Sequence, residues 1–221
     1  MGVDDRDDNG VAALLRRVAG GGPVGFDGDL TVLPQPHPRD AAVLAFTGHS
    51  VVVADVDQPW VRDRVPEGDL SAPLCPPFLS ALTAHLHRRV NNVDMITVAG
   101  ALSGAPPVGL VECADRDHPR VRRALRYRDG VRVWVADGGL VLLGYGLAGR
   151  CEVAVEVEPS ARGRGLGRRL ARAARHLCAD RSGFVWAQIA PGNAASVRAF
   201  LAAGYRPVGA EALLVADRPP G

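Results

Sequence analysis

Lysine is absent. All 26 residues counted as lysine or arginine among the 221 are arginine. That excludes a Schiff-base lysine, a pyridoxal-phosphate anchor and the lysine of a phosphate-binding P-loop. Cysteine is scarce, and Cys75, Cys113, Cys151 and Cys178 form no CxxC pair and have no histidine at metal-ligand spacing. They read as reduced, small apolar residues of a cytoplasmic protein, and no metal is expected. No apolar run approaches the ~20 residues that span a bilayer, so no membrane is expected. The opening MGVDDRDDNG is acidic and lacks the basic-then-apolar order of an export signal, and Arg6 stands where myristoylation wants Ser or Thr. A formal net charge of +2 is too near balance to indicate nucleic acid.

What is present is an ordinary globular composition, 47% hydrophobic and 23% charged, whose Ala, Gly, Val and Pro richness suits a GC-rich bacterial genome. Residues 1–28 start acidic and turn Gly-rich around VAALLRRVA, a short amphipathic helix candidate, and are expected to be a loosely attached, flexible segment. AAVLAF and VVVADV flank Thr47–Ser50 as a hairpin. After a Pro-rich link, PPFLSALTAHLHRRV places Phe78, Leu79, Leu82, Leu86 and Val90 at helical spacing, and the strand VDMITVA follows. Residues 99–109, AGALSGAPPVG, form the candidate boundary. The domain expectation is therefore 29–104 as an N-terminal subdomain or sheet extension and 105–217 as a second core.

The second half begins with a basic helix, HPRVRRALRYR, opened by Pro119. VRVWVA, LVLLGYGLA and CEVAVEV are joined by short turns as an antiparallel meander. A glycine-rich loop and an Arg-bearing helix come next, then FVWAQIA, a short helix with Asn193 as N-cap, and YRPVG and EALLVA as a terminal strand pair. The fold class is α/β of the α+β kind: a mixed, mostly antiparallel sheet flanked by helices, with an N-terminal hairpin, helix and strand as an extension.

The glycine loop carries the chemistry. It has the spacing GxGxG after a meander, and the next strand ends in Ile189-Ala190-Pro191 without an acid, so the dinucleotide fingerprint fails. Glycines at 163, 165 and 167 ahead of a helix let the backbone approach an anion, and the helix dipole favours negative charge there. Arg162-Gly163-Arg164-Gly165-Leu166-Gly167 resembles the R/Q-x-x-G-x-G/A signature of the GNAT superfamily of N-acyltransferases. Val157-Glu158-Pro159 and the Asn193, Ser196, Phe200, Gly204 and Tyr205 series are similar to that superfamily as well, over roughly residues 110–216.

The resemblance implies an acetyl-CoA-dependent N-acetyltransferase, with acetyl-CoA as co-substrate. Its cofactor-binding residues would be Val155, Val157, Arg162, Gly163, Arg164, Gly165, Leu166, Gly167, Arg168, Asn193, Ser196 and Phe200. The strand 151–157 would part from 184–190 to admit the pantetheine arm, and the backbone N–H near Val157 would polarise the thioester carbonyl.

Direct attack needs a neutral amine, and only about one part in a thousand of an alkyl ammonium is deprotonated at pH 7. A base or a water chain must take the proton. Glu156 and Glu152, alternating on the third meander strand, are the base candidates, with Glu112 and His118 behind them. The family often has Tyr where this chain has Phe200. Tyr205, Tyr145 or water is then left to protonate the thiolate. The acceptor would be a small-molecule or peptide amine. Arg116, Arg120, Arg122, Arg123, Arg126, Arg128 and Arg132 lie where such proteins build the acceptor side, or form a solvated helix face. The N-terminal half could extend the sheet, cap the acceptor site or serve a homodimer. The alternative is a catalytically weak acyl-CoA-binding or regulatory module.

Overall fold

The computed structural model describes residues 10–25, 27–178 and 183–216. Internal contacts divide the chain into two units, residues 1–95 with 208–221, and residues 96–207.

In the first unit, α1 (Val11–Ala19) buries Val11, Leu14, Leu15 and Val18, an i, i+3, i+4, i+7 stripe. Within the segment expected to be loose, residues 11–19 thus form a helix with a buried face; residues 1–9 and 26 lie outside the described residues. β1 (Leu30–Leu33) pairs in parallel with β3 (His49–Val53), and β3 pairs antiparallel with β2 (Ala41–Phe46). Only Thr47 and Gly48 separate β2 from β3, a tighter turn than expected, with Gly48 at φ +75° and His49 already in the strand. His49 donates or accepts between Asp27 Oδ1 at 2.7 Å and Thr31 Oγ1 at 2.9 Å, which fastens the preceding loop to β3.

The Pro-rich link contains α2 (Gln58–Arg62), and α3 (Pro76–Leu86) stops at His87 in the left-handed region, so Val90 falls in β4 (Arg88–Gly100). Phe78, Leu79 and Leu82 of α3 pack with Val43, Val52, Ala212 and Leu214 as this unit's core.

The terminal strand pair expected from YRPVG and EALLVA is a single strand, β10 (Arg206–Ala216). Its residues 209–214 pair antiparallel with β2, which places them in the first unit rather than in a 105–217 core. Gly209 serves a close approach there and not a turn, because a β-carbon would run into the carbonyl oxygen of Ala45.

In the second unit, the strand order runs from the end of β4 through β9 (Phe184–Ile189), β8 (Cys151–Val157), β7 (Gly139–Tyr145) and β6 (Asp129–Ala136) to β5 (Val111–Cys113). β5 to β8 are antiparallel, as the short turns predict, and β8 to β9 is parallel. α4 (Pro119–Tyr127) lays Val121 and Ala124 over Val133, Leu140, Leu142 and Ala154 on one face. α5 (Leu166–Leu177) buries Leu166, Leu170, Ala173 and Ala174, and α6 (Ala194–Ala202) is capped by Asn193.

Candidate acyl-transfer site

The loop between β8 and α5 has the geometry its glycines call for. Gly163 and Gly165 stand at φ +77° and +75°, a region open to glycine at little steric cost, and a β-carbon built on either meets nothing within 4 Å. Gly165 is the N-cap of α5 and offers no side chain to cap it. The first-turn amides of α5, at Leu166, Gly167 and Arg168, therefore face an exposed loop with the positive end of the helix dipole behind them. Gly167 is not in the left-handed region, and a β-carbon there would make only ordinary contact with Val157 and Ala199. Leu166 is buried, whereas Arg164 and Arg168 are exposed. Arg162 donates from Nε to the carbonyl of Val157 at 3.2 Å, tying the loop back to the strand it leaves.

Beside this loop the sheet opens. Among the described residues, the register between β8 and β9 rests on one pair, Glu152↔Trp186, and β8 continues to Val157 without a further partner on β9. Val155 and Val157 are half-buried along that stretch. A parallel pair that diverges leaves backbone N–H and C=O groups facing a gap, which suits an amide-bearing chain. Asn193 Oδ1 accepts from Ser196 N at 3.1 Å, so both hold the start of α6, and Phe200 is buried edge-on to Tyr205 at 4.9 Å between centroids.

Alternation along β8 turns Glu152, Ala154 and Glu156 to the α4 face, in register with Gly144, Leu142 and Leu140. The two glutamates live in different surroundings. Glu152 is buried; Arg128 Nε donates to Oε2 at 2.7 Å, and Arg150 Nε and Gln188 Nε2 donate to Oε1 at 2.8 and 2.6 Å. Burial alone would push its carboxyl up, but the Arg150 and Arg128 guanidiniums and the hydrogen bonds from Arg150 and Gln188 outweigh it and hold it below its ordinary value. A carboxylate so held is a poor proton acceptor, which corrects the expectation that Glu152 is a base. Glu112 is likewise engaged: Arg132 clasps it through Nε and Nη2 at 2.8 and 2.9 Å, and that hydrogen bonding lowers its pKa. Glu156 instead makes one contact to Arg120 Nε at 2.9 Å, with both side chains about two-fifths exposed, at 39% and 40%.

Tyr205 is corrected as well. It is buried, its hydroxyl donates to the carbonyl of Ala171 at 3.1 Å, and burial pushes its pKa far above the ordinary value. His118 caps α4, its Nδ1 accepting from Arg120 N at 3.2 Å. Of the basic run, Arg120, Arg128 and Arg132 are paired with carboxylates, and Arg122, Arg123 and Arg126 are exposed on α4.

Arg150 and Gln188 are site residues that sequence reading missed. Gln188 lies two positions from Trp186, the residue in register with Glu152, so strand alternation alone could have put it on the Glu152 face. Arg150 carried no such signal, being in a turn. Among the described residues no group of histidine, cysteine and carboxylate side chains could hold a metal, and no helix is long and apolar enough to cross a membrane.

The second unit thus sets a glycine-rich loop ahead of a helix, after an antiparallel meander and beside the parallel β8–β9 pair. Residues 101–205, a little under half of the chain, match the model of the Acetyltransferase (GNAT) family. Among solved structures, a GCN5-related N-acetyltransferase from Kribbella flavida is 17% identical, over 64% of this chain and 65% of its own, with a TM-score of 0.41. A GNAT-family acetyltransferase from Novosphingobium aromaticivorans is 20% identical over 60% and 68%, with a TM-score of 0.42. A tandem GNAT protein of the clavulanic acid biosynthesis pathway is 14% identical over 66% and 60%, with a TM-score of 0.40. The match thus reaches about two thirds or less of each relative's length. No curated protein matches the chain.

Proposed function

We propose that the chain is an acetyl-CoA-dependent N-acetyltransferase that passes an acetyl group from the thioester to a small-molecule or peptide amine by direct attack. The observation that carries this reading is the pairing of Gly163 and Gly165, in positive φ with open space about them, with the divergence of β8 from β9 beyond Glu152. In this reading the amides of 163–168 receive the diphosphate, with Arg164 and Arg168 adding charge. The exposed strand edge of Val155–Val157 pairs with the pantetheine amides and directs an N–H at the carbonyl oxygen that gains charge.

Glu156 takes the proton. Alone among Glu112, Glu152 and Glu156, it is bound by a single, half-exposed contact, so a substrate ammonium can displace its partner. The ammonium nitrogen gives up two protons: one passes to Glu156 before attack, and as the C–N bond forms and the C–S bond breaks the second passes through water to the departing thiolate, leaving the amide and free coenzyme A. Phe200 has no proton to give, and the Tyr205 hydroxyl is committed to Ala171. A thiol of pKa ~8.5 leaves without a dedicated acid at neutral pH.

A thiol-release assay with acetyl-CoA and an amine panel tests the proposal. Coenzyme A freed only when an amine is present supports transfer. The commitment of the Tyr205 hydroxyl favours a second reading, a module that binds acyl-CoA without turning it over. Tight binding with no release across the panel would select that one.

A further inference from the structure

We infer that the acceptor is an amine carrying its own carboxylate one or two carbons away, of the amino-acid class, and that Arg120 selects it; this rests on the transferase reading above. The α4 face of β8 bears two ion pairs of opposite character. Around Glu152, Arg128 and Arg150 are 12% and 3% exposed, and opening that cluster would strand buried charge. Arg120–Glu156 is the other kind: a half-exposed pair whose net worth in water is about 0–1 kcal/mol, so exchanging partners costs little.

Only Nε of Arg120 is used, and its Nη1 and Nη2 make no hydrogen bond to a described residue. A substrate ammonium that docks on Glu156 therefore displaces a guanidinium and leaves it without a counter-charge. A simple alkyl amine repairs nothing. An amine with an adjacent carboxylate replaces both halves of the pair at once, its ammonium on Glu156 and its carboxylate on the fork of Arg120. Arg120 Nε and Glu156 Oε2 start in contact at 2.9 Å, so a ligand that inserts between them must be compact, and an α- or β-amino acid carries both charges on such a short frame. Arg120 is a specificity residue in this account, and the proton still goes to Glu156.

The experiment is thiol release from acetyl-CoA by the full chain with α-amino acids, the same compounds as carboxamides, and plain alkyl amines. The expected result is a preference of about tenfold or more in kcat/KM for acid over amide, carried by KM, as one charge-assisted contact of ~1.5–3 kcal/mol would give. Carboxamides have more neutral amine at neutral pH, so basicity alone favours the opposite order. Arg120→Gln should bring the ratio near one, and Arg120→Lys should restore part of it. Equal use of acids and amides, or a ratio indifferent to Arg120→Gln, overturns the inference. Release with alkyl amines but with no amino acid overturns it while leaving the transferase reading in place; release with no amine at all overturns both.

Discussion

The carboxylate of Glu152 occupies the space that a β-carbon at Gly146 would need, and the Gly146 amide donates to the carbonyl of Arg150 at 3.0 Å. The glycine is there to admit a charge cluster. Gly146→Ala should destabilise the fold by about 1–3 kcal/mol, the ordinary range for overpacking a filled interior. Urea unfolding would read this as a lower midpoint at unchanged m-value.

Glu152 also sets an acid limit on stability. Its folded pKa is depressed below the ordinary 4.5, so its contribution is fully present above that value and is lost as pH falls through the lower, folded pKa. Glu152→Ala leaves the Arg128 and Arg150 guanidiniums without their shared carboxylate and should cost about 3–5 kcal/mol at neutral pH. Glu152→Gln should flatten the fall of stability below pH 4.5 in denaturation followed against pH. A variant with the wild-type acid profile would show that the cluster does not carry it.

Tyr205→Phe separates a structural hydroxyl from a catalytic one. Loss of the bond to Ala171 should cost about 0.5–1.5 kcal/mol in unfolding and leave kcat within twofold, roughly the scatter that a change remote from the chemistry produces. A fall in kcat of a hundredfold or more, the scale of lost acid–base catalysis, would return Tyr205 to the mechanism.

The GxGxG loop, the meander and the Asn193 cap are local features, and each is fixed by turn chemistry or by a hydrogen bond reaching two or three residues. The long-range pairings were not legible. Arg206–Ala216 reads as two strands because Pro207 and Gly209 punctuate it, yet β2 lies alongside and the glycine is needed for that approach. Glu152 and Glu156 read alike in the sequence, both being carboxylates on the same side of one alternating apolar strand. Only the tertiary partners, Arg128, Arg150 and Gln188 against Arg120 alone, separate a locked charge from an open one.

Gly165→Asp should abolish detectable coenzyme binding. It puts a carboxylate at the amides proposed to hold a diphosphate, and it imposes a left-handed φ on a side chain, for about 1–2 kcal/mol of strain. Gly165→Ala carries much of the strain without the charge. Thermal shift with acetyl-CoA should therefore keep part of its response in the alanine variant and none in the aspartate variant.

The central claim is that main-chain amides ahead of α5 hold the diphosphate. Calorimetric titration of the full chain with acetyl-CoA, beside S-acetylpantetheine, which has the thioester arm but no diphosphate, tests it most directly. The account predicts one saturable site for acetyl-CoA and affinity for the truncated compound lower by about a hundredfold or more, the equivalent of ~2.8 kcal/mol. Equal affinity for the two, or no heat with acetyl-CoA, would contradict it.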